Sequence, residues 1–244
     1  MPAPTLDQIK KLYSEEYFED NTRNYSYTQQ VVETKQAYRM TAVKFRELVG
    51  AGCNMLDIGC ATGDFLVEAD KLGFNATGIE YSAYGYSECQ KKNLNVVQAN
   101  INDVDFQDAQ FDAVHVSHVL EHLENPDLTL KRIVRWVKPA GLIYIEVPHQ
   151  FDGWLEKIQS IRNPKSSFDV FSIHHCSFFG PKSLTRLIKN NGLEIVNICT
   201  YDPNKRSARK PSIRKLFLMV LLATANLFHR GDIIAAWIRV PKIT

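Results

Sequence analysis

The chain has 244 residues, 45% apolar and 23% charged, which suffices for a buried core and is unlike a disordered segment. Its 29 basic and 27 acidic residues leave a net charge of +2, so no global field draws it to nucleic acid. Five scattered cysteines without a C-x-x-C pair argue against a disulfide framework and a zinc site, and no metal is expected.

Residues 1–52 are expected to form an N-terminal helical lid. "LDQIKKLYSEEYFE" and "VETKQAYRMTAVKFRELVG" carry apolar residues three and four apart, "DNTRNYSYTQ" forms a loop between them, and Gly50 and Gly52 stop the second helix. The first twenty residues lack an apolar core and are unlike a signal peptide, so a cytoplasmic protein is expected. Over 53–244 strands and helices alternate. "NMLDIG", "NATGIEY", "NVVQANI", "FDAVHVSHV", "LIYIEVP", "LEIVNICTY" and "GDIIAAWIRV" read as strands. "DFLVEADKLG", "AYGYSECQKKN", "PDLTLKRIVRWVKPAG" and "PKSLTRLIKNNG" read as helices, the third stopped by Pro139 and Gly141. This rhythm predicts an α/β fold with a doubly wound, seven-stranded, mostly parallel sheet.

Two stretches depart from it. Residues 149–180 are too long for a plain connection and read as a lid insertion over the ligand end of the sheet. Within 205–230, a basic run leads into "LFLMVLLATANLF", a mainly apolar stretch of 13 residues, shorter than the roughly 18 a membrane span needs. It is either a buried helix with a solvated lead-in or, over 205–228, a peripheral surface for a membrane or an anionic substrate.

The turn after the first strand carries the chemistry. A phosphate loop needs G-x-x-x-x-G-K-[ST], and no Lys-Ser or Lys-Thr follows these glycines. A dinucleotide fingerprint needs G-x-G-x-x-G, whereas Gly59 and Gly63 form G-x-x-x-G. The turn holds no basic residue and is flanked by Asp57 and Asp64, which suits a cationic ligand such as S-adenosylmethionine better than a pyrophosphate. Glu80 ends the second strand 23 residues after Asp57, where a carboxylate meets ribose hydroxyls.

"LDIGCATGDFL", "GIEYS", "QANINDV", "FDAVHVSHVLEHLENP" and "VKPAGLIYIEVP" resemble, in order and spacing, the motifs of class I S-adenosylmethionine-dependent methyltransferases. The nearest branch is the small-molecule one that includes quinone and sugar methyltransferases. The resemblance is strong from Asn54 to Pro148 and returns more weakly at "HCSFFGPKSLTRLIKNNGLEIV". It implies that Asp57, Gly59, Cys60 and Gly63 line the methionine part, that Glu80 holds the ribose, and that Tyr81 stacks beside the adenine. Asn100, followed by Ile101, stands where the family often has Asp for the adenine amino group, and Ser117 and His118 close the site.

Methyl transfer needs the acceptor aligned within about 3–3.5 Å, and a hydroxyl acceptor also benefits from a base. Histidine is the natural base near neutral pH. His149 and His118 lie at strand ends where ligands bind, and His175 matches a family position that faces the acceptor in some relatives; these three are the candidates. His115 alternates with apolar neighbours and reads as structural. Tyr17, Tyr25, Trp154 and Phe178 are candidate acceptor contacts because aromatics concentrate in the two lid segments. The expected function is methylation of an O or N atom of a small molecule, with a sugar or glycan unit foremost. The alternatives are a membrane-borne quinone or lipid acceptor, and a module that binds the cofactor without catalysis. Oligomeric state is not legible.

Overall fold

The structure, a computed structural model, describes residues 27–149, 175–201 and 231–242. The first expected helix, most of the insertion and the basic-apolar run lie outside the described residues. So do Tyr17, Tyr25 and Trp154.

The described elements are α1 (Tyr27–Val49), β1 (Asn54–Ile58), α2 (Asp64–Lys71), β2 (Asn75–Glu80), α3 (Ala83–Lys91), β3 (Val96–Gln98) and β4 (Phe111–Ser117). They continue with α4 (Pro126–Trp136), β5 (Val137–Pro148), α5 (Pro181–Asn190), β6 (Glu194–Tyr201) and β7 (Ile233–Arg239). The strands form a seven-stranded sheet in the order β3-β2-β1-β4-β5-β7-β6. β1 runs parallel to β2 and β4, β2 parallel to β3, and β6 antiparallel to β7. The strand order reverses beside β1, so the chain leaves β1 at a topological switch point, where ligands of open α/β sheets bind.

Two boundaries differ from the sequence expectation. Helix α1 begins at Tyr27, inside the stretch expected to be a loop. Helix α4 ends at Trp136 rather than at Gly141, and β5 starts at once. The reason lies far along the chain: Ala140 N–H donates to the Val240 carbonyl, and Val240 N–H to that of Gly141, both at 3.0 Å. That ladder draws Pro139 and Gly141 into a strand, which local breaker signals do not reveal.

The chain divides into two compact units. In the first, described over 27–116, 128–143 and 240–242, the core holds Met55, Leu56, Ile58, Phe65, Phe111, Ile133 and Trp136, all essentially without solvent contact. Each such side chain stabilises the fold by about 1.5–3 kcal/mol. Helix α1 buries Ala42 and Phe45, and the Phe45 ring meets that of Phe65 edge-on at 6.4 Å. In the second, α5 buries Leu184 and Ile188, while β7 buries Ile234, Ala236 and Ile238.

Candidate active site

The turn after β1 is built from backbone. Gly59, Ala61 and Gly63 have φ of 69°, 49° and 79°, three left-handed residues within five. Only glycine takes this region without steric cost, so Ala61 is held there by its surroundings. The amides of Gly59 and Cys60 both donate to the Ile79 carbonyl, at 2.9 and 3.0 Å, which binds the turn to β2. Gly63 is also sterically obligatory, since a Cβ there would stand 2.3 Å from Leu94 Cδ1 and 2.9 Å from Cys89 Sγ. The Cys60 side chain belongs to a buried cluster with Leu66, Cys89, Leu94 and Val96, so only its backbone is left to line a ligand. Hydrogen bonding with Cys89, then burial, pushes its thiol far above the ordinary range, and it is not a nucleophile.

Glu80 is 6% exposed and held by two main-chain amides. Ala61 N–H donates to Oε2 at 2.8 Å and Ser82 N–H to Oε1 at 2.7 Å. Each oxygen keeps a further lone pair, as two adjacent ribose hydroxyls require. Burial raises its pKa, against the opposing pull of those amides. Helix α3 approaches closely because Gly85 lacks a side chain; a Cβ there would lie 2.9 Å from the Ala61 carbonyl oxygen.

Neither acid flanking the turn is bare. Asp57, 2% exposed, directs Oδ1 at His115 Nδ1 across 2.7 Å, and Phe65 stacks on that imidazole at 3.7 Å. Burial raises the Asp57 pKa and the His115 contact opposes the rise. Asp64 pairs with Lys92 at 3.0 Å. His115 is thus structural, as its alternation predicts, and Asp57 anchors the turn. Beyond β3, the Asn100 side-chain oxygen accepts from Asn102 N–H at 2.9 Å, so its carbonyl is shared between its own loop and any ligand. Ile101 is buried and Tyr81 half-buried. Arg132 of α4 secures this loop from outside by donating to the carbonyls of Asn102 and Val104.

Ser117 and His118 belong to the second unit, where they join a network that sequence reasoning missed. Its hub is Glu146, which accepts from Tyr144 Oη at 2.5 Å, Tyr201 Oη at 2.7 Å and Ser117 Oγ at 3.2 Å. His118, with φ 54°, places Nδ1 3.4 Å from Glu121 Oε1 and Nε2 3.4 Å from Glu146 Oε1. The ring is half-exposed; partial loss of water around it opposes its charge, but the two carboxylates outweigh that and lift its pKa to about 10. Glu146 moves the other way: burial disfavours its charge, and His118 with the two tyrosines brings it down to about 2. Two carboxylates at this distance favour the imidazolium over the neutral ring. One signal was available, since Glu146 is a charge inside "LIYIEVP", a strand otherwise apolar enough to be buried on both faces.

The other histidines of this unit differ in their freedom. His175 meets His122 edge-on at 4.9 Å, and Phe178, 39% exposed, lies 6.5 Å from His175. Although no metal was expected, Glu121, His122 and His175 each offer a ligand atom within 4.8 Å of the others, a donor set that can hold a divalent cation. His149 is 6% exposed; its Nδ1 lies 2.7 Å from the Gly231 carbonyl and its Nε2 has no hydrogen-bond partner.

Comparison with known proteins agrees with this geometry. A methyltransferase domain family matches residues 19–198. The ubiquinone biosynthesis O-methyltransferase of Azoarcus sp. (strain BH72) is 29% identical over 171 residues, covering 63% of this chain and 70% of that protein. Its counterpart from Coxiella burnetii (strain Dugway 5J108-111) is 26% identical over 159 residues, covering 60% of this chain and 66% of that protein. Among solved structures, a SAM dependent methyltransferase from Archaeoglobus fulgidus shares the fold, with TM-score 0.61 at 18% identity over 88% of this chain and 99% of that one. The family match takes in the glycine turn, the acid that ends β2 and the strands that carry them. The chain belongs to the methyltransferase domain family and is an S-adenosylmethionine-dependent enzyme of class I.

Proposed function

We propose that this enzyme transfers a methyl group from S-adenosylmethionine to a hydroxyl oxygen on the ring of a small aromatic acceptor of the quinol kind. The observation that carries the reading is the Glu80 carboxylate, fixed by the amides of Ala61 and Ser82 with lone pairs to spare for two neighbouring hydroxyls. The sulfonium supplies an activated methyl and leaves as a neutral thioether. The residues of the turn would bind and orient it: the backbone of Gly59 to Gly63 would line the methionine part, Tyr81 and Ile101 would flank the adenine, and Asp57 would hold the turn in shape through His115. The acceptor class is taken from the relatives, two of which are named ubiquinone biosynthesis O-methyltransferases. No helix among the described residues is long and apolar enough to cross a membrane. For an acceptor with a lipid tail, the basic and apolar run at 205–228 is the proposed dock.

The test is a release assay for S-adenosylhomocysteine. The acceptors are a catechol, a polyprenyl catechol in vesicles, a nucleotide sugar and a secondary amine. Turnover with the catechols is expected, and methylation of the sugar or the amine alone would overturn the aromatic assignment. Saturable cofactor binding with no turnover on any acceptor would favour a binding module.

A further inference from the structure

We propose that Cys89 and Lys92 are positioning residues of the cofactor turn, holding the carbonyls of Ala61 and Thr62 and so fixing the central peptide of that turn. The inference rests on the reading of Glu80 as the ribose acceptor. Cys89 lies on α3 and Lys92 follows its last residue, and with Gly85 they stand four and then three positions apart, so they share one face.

The turn has a conformation that needs holding. Gly63 N–H donates to the Cys60 carbonyl at 2.8 Å, which closes a four-residue turn with Ala61 and Thr62 at its centre. Turn types differ in the direction of the peptide between the two central residues. Here that peptide follows an alanine at φ 49°, where a side chain costs roughly 1–2 kcal/mol. Its carbonyl finds its partner on α3: the Cys89 thiol donates to the Ala61 oxygen at 3.3 Å. Gly85 makes the room, since a Cβ there would stand 2.9 Å from the same oxygen. A thiol is a weak donor, but Cys89 has no solvent contact, so water does not compete for the bond.

Lys92 holds the next carbonyl. Its Nζ donates to the Thr62 oxygen at 2.6 Å and to Asp64 Oδ1 at 3.0 Å. A trans peptide is planar with N–H opposed to C=O, so a carbonyl seated against α3 turns the Thr62 N–H to the opposite side of the turn. The preceding peptide is fixed at both ends, with the Cys60 carbonyl on Gly63 and the Ala61 N–H on Glu80 Oε2 at 2.8 Å. Loosening the central peptide lets Ala61 leave its left-handed conformation and release the amide that orients Glu80.

Calorimetric titration of the whole protein with S-adenosylmethionine tests this. Lys92→Met should raise the dissociation constant about tenfold, and Lys92→Arg should restore it to near the parent value. The ligand carries net positive charge, so losing a nearby cation would by charge alone tighten binding; weakening reports geometry instead. Cys89→Ala should weaken binding about fivefold and Cys89→Ser less than twofold. If Cys89 only filled space, a serine hydroxyl among Leu66, Leu94 and Val96 would do no better than alanine. Serine no tighter than alanine, or Lys92→Met binding as well as the parent, would overturn the proposal. The second readout is amide hydrogen exchange without ligand: the Ala61 N–H should exchange at least about tenfold faster in Lys92→Met and Cys89→Ala, and an unmoved rate would equally overturn it. Lys92 lies at the surface, so its variants keep the test open should those at Cys89 fail to fold. Glu80→Ala is titrated in parallel. Undiminished binding there would sink the ribose reading, while the exchange rate would still decide whether α3 fixes the turn.

Discussion

Replacing Glu146 with glutamine keeps the shape of the hub and removes its charge, so it isolates what the charge contributes. In the native protein the carboxyl falls from its ordinary 4.5 to about 2, because its contacts with His118, Tyr144 and Tyr201 outweigh the cost of burial. That difference is worth on the order of 3 kcal/mol of folding stability. The folded value lies below the unfolded one, so the contribution is complete above pH 4.5 and is lost as pH falls through about 2. His118 runs opposite: raised from 6.5 to about 10, it contributes below pH 6.5 and loses that contribution as pH rises through about 10. It is half-exposed and screened by solvent, so the acid limb is the informative one. Urea unfolding followed by tryptophan fluorescence should show Glu146→Gln less stable by on the order of 3 kcal/mol at pH 6, narrowing to about 1 kcal/mol at pH 3. A deficit that stays constant from pH 6 to pH 3, or no deficit at pH 6, would mean that Glu146 is not the anion the hydroxyl contacts imply.

Three further outcomes can be checked on the same protein. Glu80→Ala removes the two carboxylate oxygens proposed to accept from the ribose and should weaken S-adenosylmethionine binding by about a hundredfold or more in calorimetric titration; unchanged affinity would place the ribose elsewhere. Gly63→Ala meets a left-handed backbone and a contact at 2.3 Å, and should cost roughly 2–5 kcal/mol in urea unfolding. A loss below about 1 kcal/mol would show that Leu94 yields freely. Arg132→Ala frees the loop at Asn102 and Val104 and should raise the cofactor dissociation constant about tenfold, whereas an unmoved constant would make the clamp irrelevant to binding.

What the sequence revealed follows the distance over which each feature is made. The glycine turn and Glu80 were legible because their elements are successive: Ala61 and Glu80 are 19 residues apart, and Ser82 only two from Glu80. Spacing does not distinguish backbone from side chain, so Cys60 read as a ligand contact although its thiol faces Cys89 in the core. Likewise, two acids beside the turn read as an anionic setting, whereas the structure pairs Asp57 with His115 and Asp64 with Lys92. The three candidate bases could not be separated from sequence because their difference lies in partners from other strands. His118 meets a carboxylate from β5, and His149 meets a carbonyl that precedes β7. The early start of β5 was hidden for the same reason, as its partner, Val240, follows it by about a hundred residues.

The bond from His149 to Gly231 spans 82 residues, against 19 for the bond that orients Glu80. Closing the longer loop costs about 1 kcal/mol more in chain entropy, and contacts distant in sequence tend to form late. The order of assembly follows: a chain leaving the ribosome or a denaturant completes its ribose clamp before the histidine acquires its carbonyl. The Glu80 clamp is thus the earlier contact to form and the histidine's anchor before β7 the later one, so the turn after β1 can be in place before the strand pairing at the far end of the sheet is complete.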